Sequence, residues 1–314
     1  MRLALADVDD TIAEVYTPAE PAMIDTLSAI LKDGVKLFMV SGGSLARIRR
    51  DVTDSITAEL RKNILISHCS GAEVWGFQDN GELCTEPFYS LYDKVLDDDQ
   101  KRQWREIVDQ LIKEFGLRTH AARPKPEFWE TVGRDPQDIM LDDRGPQITF
   151  EVVNGIDLSE EQRQKLGYDF ELTNGKYDLR VAIMERSIEL LEAADIPVTP
   201  RLGGMYALDL ALKGVSKSSS IQTALSDGTI LAHIGLTAAE LENPEHLEIW
   251  GDRFSEHHGT DHHMCKAVSP QVRAIDFREE DPSEFPAGFN IQIWDGRRHL
   301  QEGLLEYLQS RVAN

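Results

Sequence analysis

The chain has 314 residues, 33 Lys and Arg against 55 Asp and Glu, a net charge of −22, and 41% apolar and 28% charged residues. This is the composition of a soluble globular protein with room for one large domain or two. The acidic balance excludes the basic patches on which binding to nucleic acid or anionic membrane relies, and no apolar run is long enough to cross a bilayer.

The opening MRLALADVDD turns acidic after a few apolar or small residues, which does not read as a secretory signal. Cys69, Cys84 and Cys265 are far apart and odd in number, so they predict a reducing compartment without a disulfide framework. The cytoplasm is the expected location. The charge does not exclude a small phosphorylated substrate, because salt screens a distant surface field within roughly 10 Å.

In chain order, Arg2 to Ala6 runs into Asp7, Val35 to Val40 into Ser41-Gly42-Gly43, and His246 to Trp250 into Gly251-Asp252. Each is a short apolar run ending abruptly in small or acidic residues, the pattern of a buried parallel strand. An amphipathic helix near Pro21 to Lys32, closed by Gly34, lies between the first two. Asn63 to Ser67 predicts a further core strand, and Asn80-Gly81 a hairpin turn. Between about 86 and 200 the character changes: helices near Asp99 to Phe115 and Leu179 to Ala194, and strand-like runs at Gln147 to Val153 and before Gly203-Gly204. The core rhythm then resumes and ends with a helix near Arg297 to Arg311, after an acidic stretch, Arg278 to Glu284, that reads as a solvated loop. The predicted fold is α/β: a Rossmann-like core with a parallel sheet from residues 1–85 and 201–314, and an inserted α+β cap domain at 86–200.

The chemistry-bearing residues follow the strand ends. Asp7 and Asp9 at the end of the first strand can face one crevice, one attacking as nucleophile and the other moving the proton. The competing reading is an acidic helix N-terminus capped by Asp10 or Thr11. Ser41-Gly42-Gly43-Ser44 predicts a strand-to-helix turn whose N–H groups and hydroxyl receive a phosphate, or an ordinary loop with Ser44 as N-cap. Lys217 opens a helix, where a cation opposes the macrodipole; pairing with Asp7 and a phosphoryl group would give that placement a purpose. Asp252 brings a third carboxylate, with Asp261 nine residues beyond. Carboxylates this close call for a hard divalent cation with oxygen ligands, Mg²⁺ suiting both them and a phosphate. His257, His258, His262 and His263 lack the spacing of a zinc site and read as polar loop residues.

In order, Asp7-x-Asp9-x-Thr11, Ser41, Lys217 and Gly251-Asp252 with Asp261 resemble the four motifs of haloacid dehalogenase (HAD) phosphatases and phosphomutases. The insertion between Ser41 and Lys217 resembles the α/β cap of their IIB subfamily. Within it, Asp143-Arg144-Gly145-Pro146 followed by QITF, Gly203 to Asp209, and Gly214-Val215-Ser216-Lys217 are similar to segments of eukaryotic-type phosphomannomutases and their bacterial relatives. The resemblance implies Asp7 as nucleophile, Asp9 as acid and base, Ser41, Gly42 and Lys217 as phosphate ligands, and Arg144 and Asp209 as substrate contacts. It also implies Mg²⁺ on Asp7, the Asp9 carbonyl and Asp252. Departures are Asp10 for the family's glycine, Ser216 for its aspartate, Ala207 for its serine, and Thr260-Asp261 for Asn-Asp in a loop one residue longer. The expected activity is Mg²⁺-dependent hydrolysis of a small phosphorylated metabolite, in particular a sugar phosphate. A phosphomannomutase-like mutase and an inactive HAD-fold binding protein are the alternatives.

Overall fold

The computed structural model describes residues 1–167, 172–173 and 176–312. The chain divides into two compact units, Met1–Ser90 with Val215–Asn314, and Leu91–Gly214. The first unit begins with β1 (Leu3–Ala6), β2 (Lys36–Val40), β3 (Ile64–His68), β4 (Glu73–Gly76) and β5 (Tyr89–Ser90). The second holds β6 (Arg118–His120), β7 (Asp138–Asp143), β8 (Gln147–Glu151), β9 (Leu172–Thr173), β10 (Lys176–Tyr177), β11 (Val198–Gly203) and β12 (Ala207–Leu212). The first resumes with β13 (Leu247–Gly251), β14 (Arg273–Asp276) and β15 (Asn290–Ile293).

The first unit is built on one sheet in the order β15-β14-β13-β1-β2-β3-β4-β5. Its strands are parallel from β15 to β3 and antiparallel at β4 and β5. The four residues of β1 are wholly buried because both faces of the sheet are covered, which is why the run reads as continuously apolar. On one face Ala4, Ala6, Leu37 and Met39 share a cluster with Met23, Leu27, Leu304 and Leu308, from the helices Pro21–Lys32 and Leu300–Val312. On the other Leu3, Leu5, Phe38 and Ile249 meet Ile221 and Ala224 of the helix Lys217–Ser226. Ala6 is in register with Trp250 on one side and Met39 on the other. The segments after β1, β2 and β13, beginning at Asp7, Ser41 and Asp252, therefore leave the sheet side by side at its carboxyl edge.

In the second unit a five-stranded sheet runs β11-β12-β8-β7-β6, antiparallel except between β6 and β7. It is accompanied by the helices Asp98–Glu114, opened by a capping box of Asp97 and Gln100, and Leu179–Ala193. The insertion ends later than the composition shift at 200 suggests. β12 spends its backbone hydrogen bonds on β11 and β8, so residues 201–214 belong to this unit and not to the core. The Asn80-Gly81 turn forms with Gly81 at φ +80, beside an isolated bridge between Phe77 and Leu83. Cys69, Cys84 and Cys265 are free thiols. Among the described residues no helix is long and apolar enough to cross a membrane.

Candidate active site

The carboxyl edge of the first sheet gathers the acidic residues around one buried lysine. Asp7 is tied to β13 by its N–H, which donates to the Trp250 carbonyl at 2.9 Å. Lys217 is the first residue of its helix, whose N-cap Ser216 accepts from the Ser219 N–H at 3.1 Å. Its ammonium donates to Asp7 Oδ1 and to Asp261 Oδ1, both at 2.7 Å. Asp261 Oδ2 accepts from the N–H groups of Asp252 and Arg253, both at 3.0 Å, so this carboxylate fixes the loop after β13 while it holds the lysine. Gly251 allows that approach, since a Cβ there would lie 2.6 Å from Asp261 Oδ2.

Asp7, Asp252 and Asp261 each offer a carboxylate oxygen, all within 4.8 Å of one another, and all three side chains are buried. Burial pushes Asp7 well above the ordinary carboxylate range, with Asp261, Asp252 and Asp9 adding to the rise and Lys217 opposing it. Burial, then Asp261, pushes Asp252 up to about 7. Burial by itself would lower Lys217, but Asp261 and Asp7 hold it above the usual lysine value. Asp9, Asp10, Arg47 and Arg278 complete the polar cluster, so with every group ionised its five carboxylates would exceed its three cations by two charges. A divalent cation would balance that excess, and an all-oxygen donor set suits Mg²⁺.

Asp9, Ser41 and Gly42 lie on the adjoining loops. Ser41 is buried; its Oγ accepts from the Gly43 N–H at 2.9 Å and is 3.4 Å from Asp9 Oδ2. Gly42 is half-buried, next to the Ser70 hydroxyl in the sense that a Cβ would sit 3.6 Å from it. Ser44 caps the helix Leu45–Asp51 by accepting from the Arg47 N–H at 3.2 Å. No helix follows Asp9 directly; Asp10 stands at φ +57, a left-handed conformation that Asp adopts more readily than most residues.

Two arginines escaped the sequence patterns. The Arg47 guanidinium grips Asp9 in a fork, Nη1 to Oδ1 at 2.7 Å and Nη2 to Oδ2 at 2.6 Å, with the Tyr16 ring 4.9 Å away. Gly43 leaves room for it, since a Cβ there would collide with that guanidinium. Arg278 reaches Asp252 and Asp10, so the start of the acidic stretch 278–284 is not a solvated loop but part of this cluster. Arg47 carries the signal that marked Lys217, a cation in a first helical turn. Arg278 sits where no periodicity points at all.

Arg144 and Asp209 lie in the second unit. Arg144 Nε donates to Asp142 Oδ2 at 2.7 Å, while Asp209 Oδ1 accepts from Gln147 Nε2 at 2.9 Å and Thr149 Oγ1 at 2.7 Å across β8 and β12. The histidines do not form a metal cluster among the described residues: the His257 and His258 rings meet edge to face with centroids 6.2 Å apart, and His262 is buried beside Asp261.

No family model matches the sequence, and no curated protein matches it. Solved structures do. A haloacid dehalogenase-like hydrolase from Bacteroides thetaiotaomicron aligns with a TM-score of 0.58 at 14% identity, covering 99% of both chains. A trehalose-6-phosphate phosphatase related protein aligns with a TM-score of 0.52 at 15% identity, covering 99% of this chain and 97% of the other. A phosphatase of the haloalkanoate (HAD) superfamily, also from B. thetaiotaomicron, aligns with a TM-score of 0.50 at 14% identity over 100% and 95%. At such identities the likeness is one of architecture: the chain has the α/β fold of HAD proteins, with a central, mostly parallel Rossmann-like sheet.

Proposed function

We propose that the chain is a Mg²⁺-dependent phosphatase of small phosphorylated metabolites, sugar phosphates in particular, working through an aspartyl-phosphate. One observation carries the reading: the buried Lys217 ammonium bridges Asp7 and Asp261 within reach of Asp252, at the carboxyl edge of a parallel sheet. A structural ion pair gains little from three mutually repelling carboxylates, whereas a phosphoryl-transfer site needs them.

In this reading Asp7 Oδ attacks phosphorus in line with the departing oxygen. Asp9 gives that oxygen a proton and later takes one from the water that hydrolyses the aspartyl-phosphate. Because Arg47 engages both Asp9 oxygens, turnover requires Asp9 to trade part of that grip for the leaving oxygen. Ser41, the Gly42 N–H and Lys217 stabilise the charge on the equatorial oxygens. Asp7, the Asp9 carbonyl and Asp252 would hold Mg²⁺, which supplies charge neutralisation for carboxylates and phosphate alike. Asp261, with three protein donors, keeps Lys217 and the loop after β13 in place. Arg144 and Asp209 are proposed substrate contacts, and a cytoplasmic location accords with the free thiols.

The test is phosphate release from a panel of phosphorylated metabolites, with and without Mg²⁺. Turnover that needs the metal and vanishes in Asp7→Asn is the expected result. A panel without any hydrolysis, or an Asp7→Asn protein that keeps its activity, defeats the proposal. Conversion of mannose 1-phosphate to the 6-phosphate with a bisphosphate activator, in place of phosphate release, would move the assignment to a mutase.

A further inference from the structure

Arg278 does more than a surface ion pair requires. Its Nε donates to Asp252 Oδ2 at 2.9 Å and to the Asp252 carbonyl at 3.2 Å, and its Nη2 donates to Asp252 Oδ2 and, at 3.0 Å, to Asp10 Oδ2. One guanidinium thus spans the loop after β1 and the loop after β13. The segment that carries it is itself anchored. Asp276, wholly buried at the end of β14, accepts from the Arg278 N–H at 3.1 Å and from the Glu280 N–H at 2.8 Å. Glu280 Oε2 in turn accepts from the Phe254 N–H, and from the Ser255 N–H at 3.0 Å. The Asp252 side chain is 3% exposed, so its orientation is decided by these contacts and not by solvent.

The simplest alternative is an ion pair that only neutralises Asp252. It does not account for two features. The arginine places both contacting nitrogens on the same Asp252 oxygen, leaving the other to a different partner. Asp10, the acid that departs from the HAD resemblance at a position with φ +57, takes the free side of the same guanidinium. Acid and arginine are far apart in sequence and meet only here.

We propose that Arg278 is a positioning residue for the divalent cation, clamping Asp252 through Oδ2 so that its remaining oxygen serves as ligand, with Asp10 steadying the clamp. This rests on the metal-dependent reading above and goes beyond it in naming what orients the ligand. Carboxylates that bind metals are commonly held by such outer contacts, whose loss costs 10–100-fold in affinity.

The test is calorimetric titration of the full chain with Mn²⁺ and Mg²⁺, for the wild type, Arg278→Gln, Arg278→Lys and Asp10→Gly. Arg278→Gln should weaken binding by roughly 10–100-fold; Arg278→Lys should recover part of the loss, and Asp10→Gly should lose less than Arg278→Gln. Melting in chelator reports whether each variant is folded. Should Arg278→Gln fail to fold, the lysine and glycine variants decide, and wild-type affinity in both overturns the inference. Binding by Arg278→Gln as tight as wild type, or tighter, also overturns it, since the guanidinium would then be a competing counter-ion. A wild-type chain that binds no divalent cation sinks the metal-dependent reading itself, a result distinct from either.

Discussion

At the scale of single residues, the site shows how much a local sequence signal can carry. Lys217 was legible because a cation in a first helical turn is out of place unless something rewards it. Arg47 holds the third position of the helix Leu45–Asp51 and carries the same signal, but the sequence left that helix start unfixed. Arg278 left no signal, because its partners Asp252 and Asp10 are distant in the chain and meet it only through the fold. Two expectations follow. Arg47→Ala should lower kcat by about 10²-fold, the scale of a misplaced catalytic group, with KM changing less and Arg47→Lys intermediate, as steady-state kinetics will show. Unchanged kcat would mean that the fork is idle. Gly251→Ala should displace Asp261, loosening both Lys217 and the loop after β13. Overpacking there is expected to cost about 1–3 kcal/mol in denaturant unfolding and to depress turnover.

At the scale of elements, the strands that carry the site were the easiest part to read. β1, β2 and β13 are buried on both faces, so each reads as a largely apolar run, Glu248 in β13 being a buried exception held by Tyr307 and Arg311. The small or acidic residues that follow each strand lie at the carboxyl edge of the sheet. The helix Pro21–Lys32 was equally plain, with Met23, Ile24, Leu27, Ile30 and Leu31 on its buried face. The close of the insertion was not. β11 and β12 belong to the insertion because β12 pairs with β8 and β11 with β12, and the β12–β8 pairing is a long-range contact that local composition cannot encode. The parallel core predicts its own sensitivity. Phe38 is wholly buried in β2 among Leu5, Val40 and Leu65, and Phe38→Ala should cost about 3–5 kcal/mol by equilibrium unfolding. Leu202 in β11, 42% exposed, provides the contrast: Leu202→Ala should stay within about 0.5 kcal/mol. Equal losses at the two positions would contradict the assigned burial.

At the scale of the whole molecule, the candidate site is a liability that a cation would relieve. Burial raises Asp7 above its ordinary value, Asp252 to about 7 and Asp276 to about 6. A carboxyl whose folded value is raised binds more protons in the native than in the unfolded state, between the ordinary carboxylate value near 4 and its own raised one. Stability therefore falls as pH rises through that window, by at most about 1.4 kcal/mol per pH unit for each group. The metal-free protein should accordingly melt at a higher temperature near pH 5 than near pH 7.5. Mg²⁺ should reverse the trend at the upper end, because it binds the ionised carboxylates of the native state and stabilises by mass action. Asp252→Asn removes one buried charge: it should raise the metal-free melting temperature at pH 7.5 and shrink the gain that Mg²⁺ brings. Melting curves at both pH values, with Mg²⁺ and with chelator, read all of this in one set. If Asp252→Asn melts lower than wild type in chelator at pH 7.5, Arg278 already compensates Asp252 fully, and the excess negative charge that calls for a cation would have to be located elsewhere in the cluster.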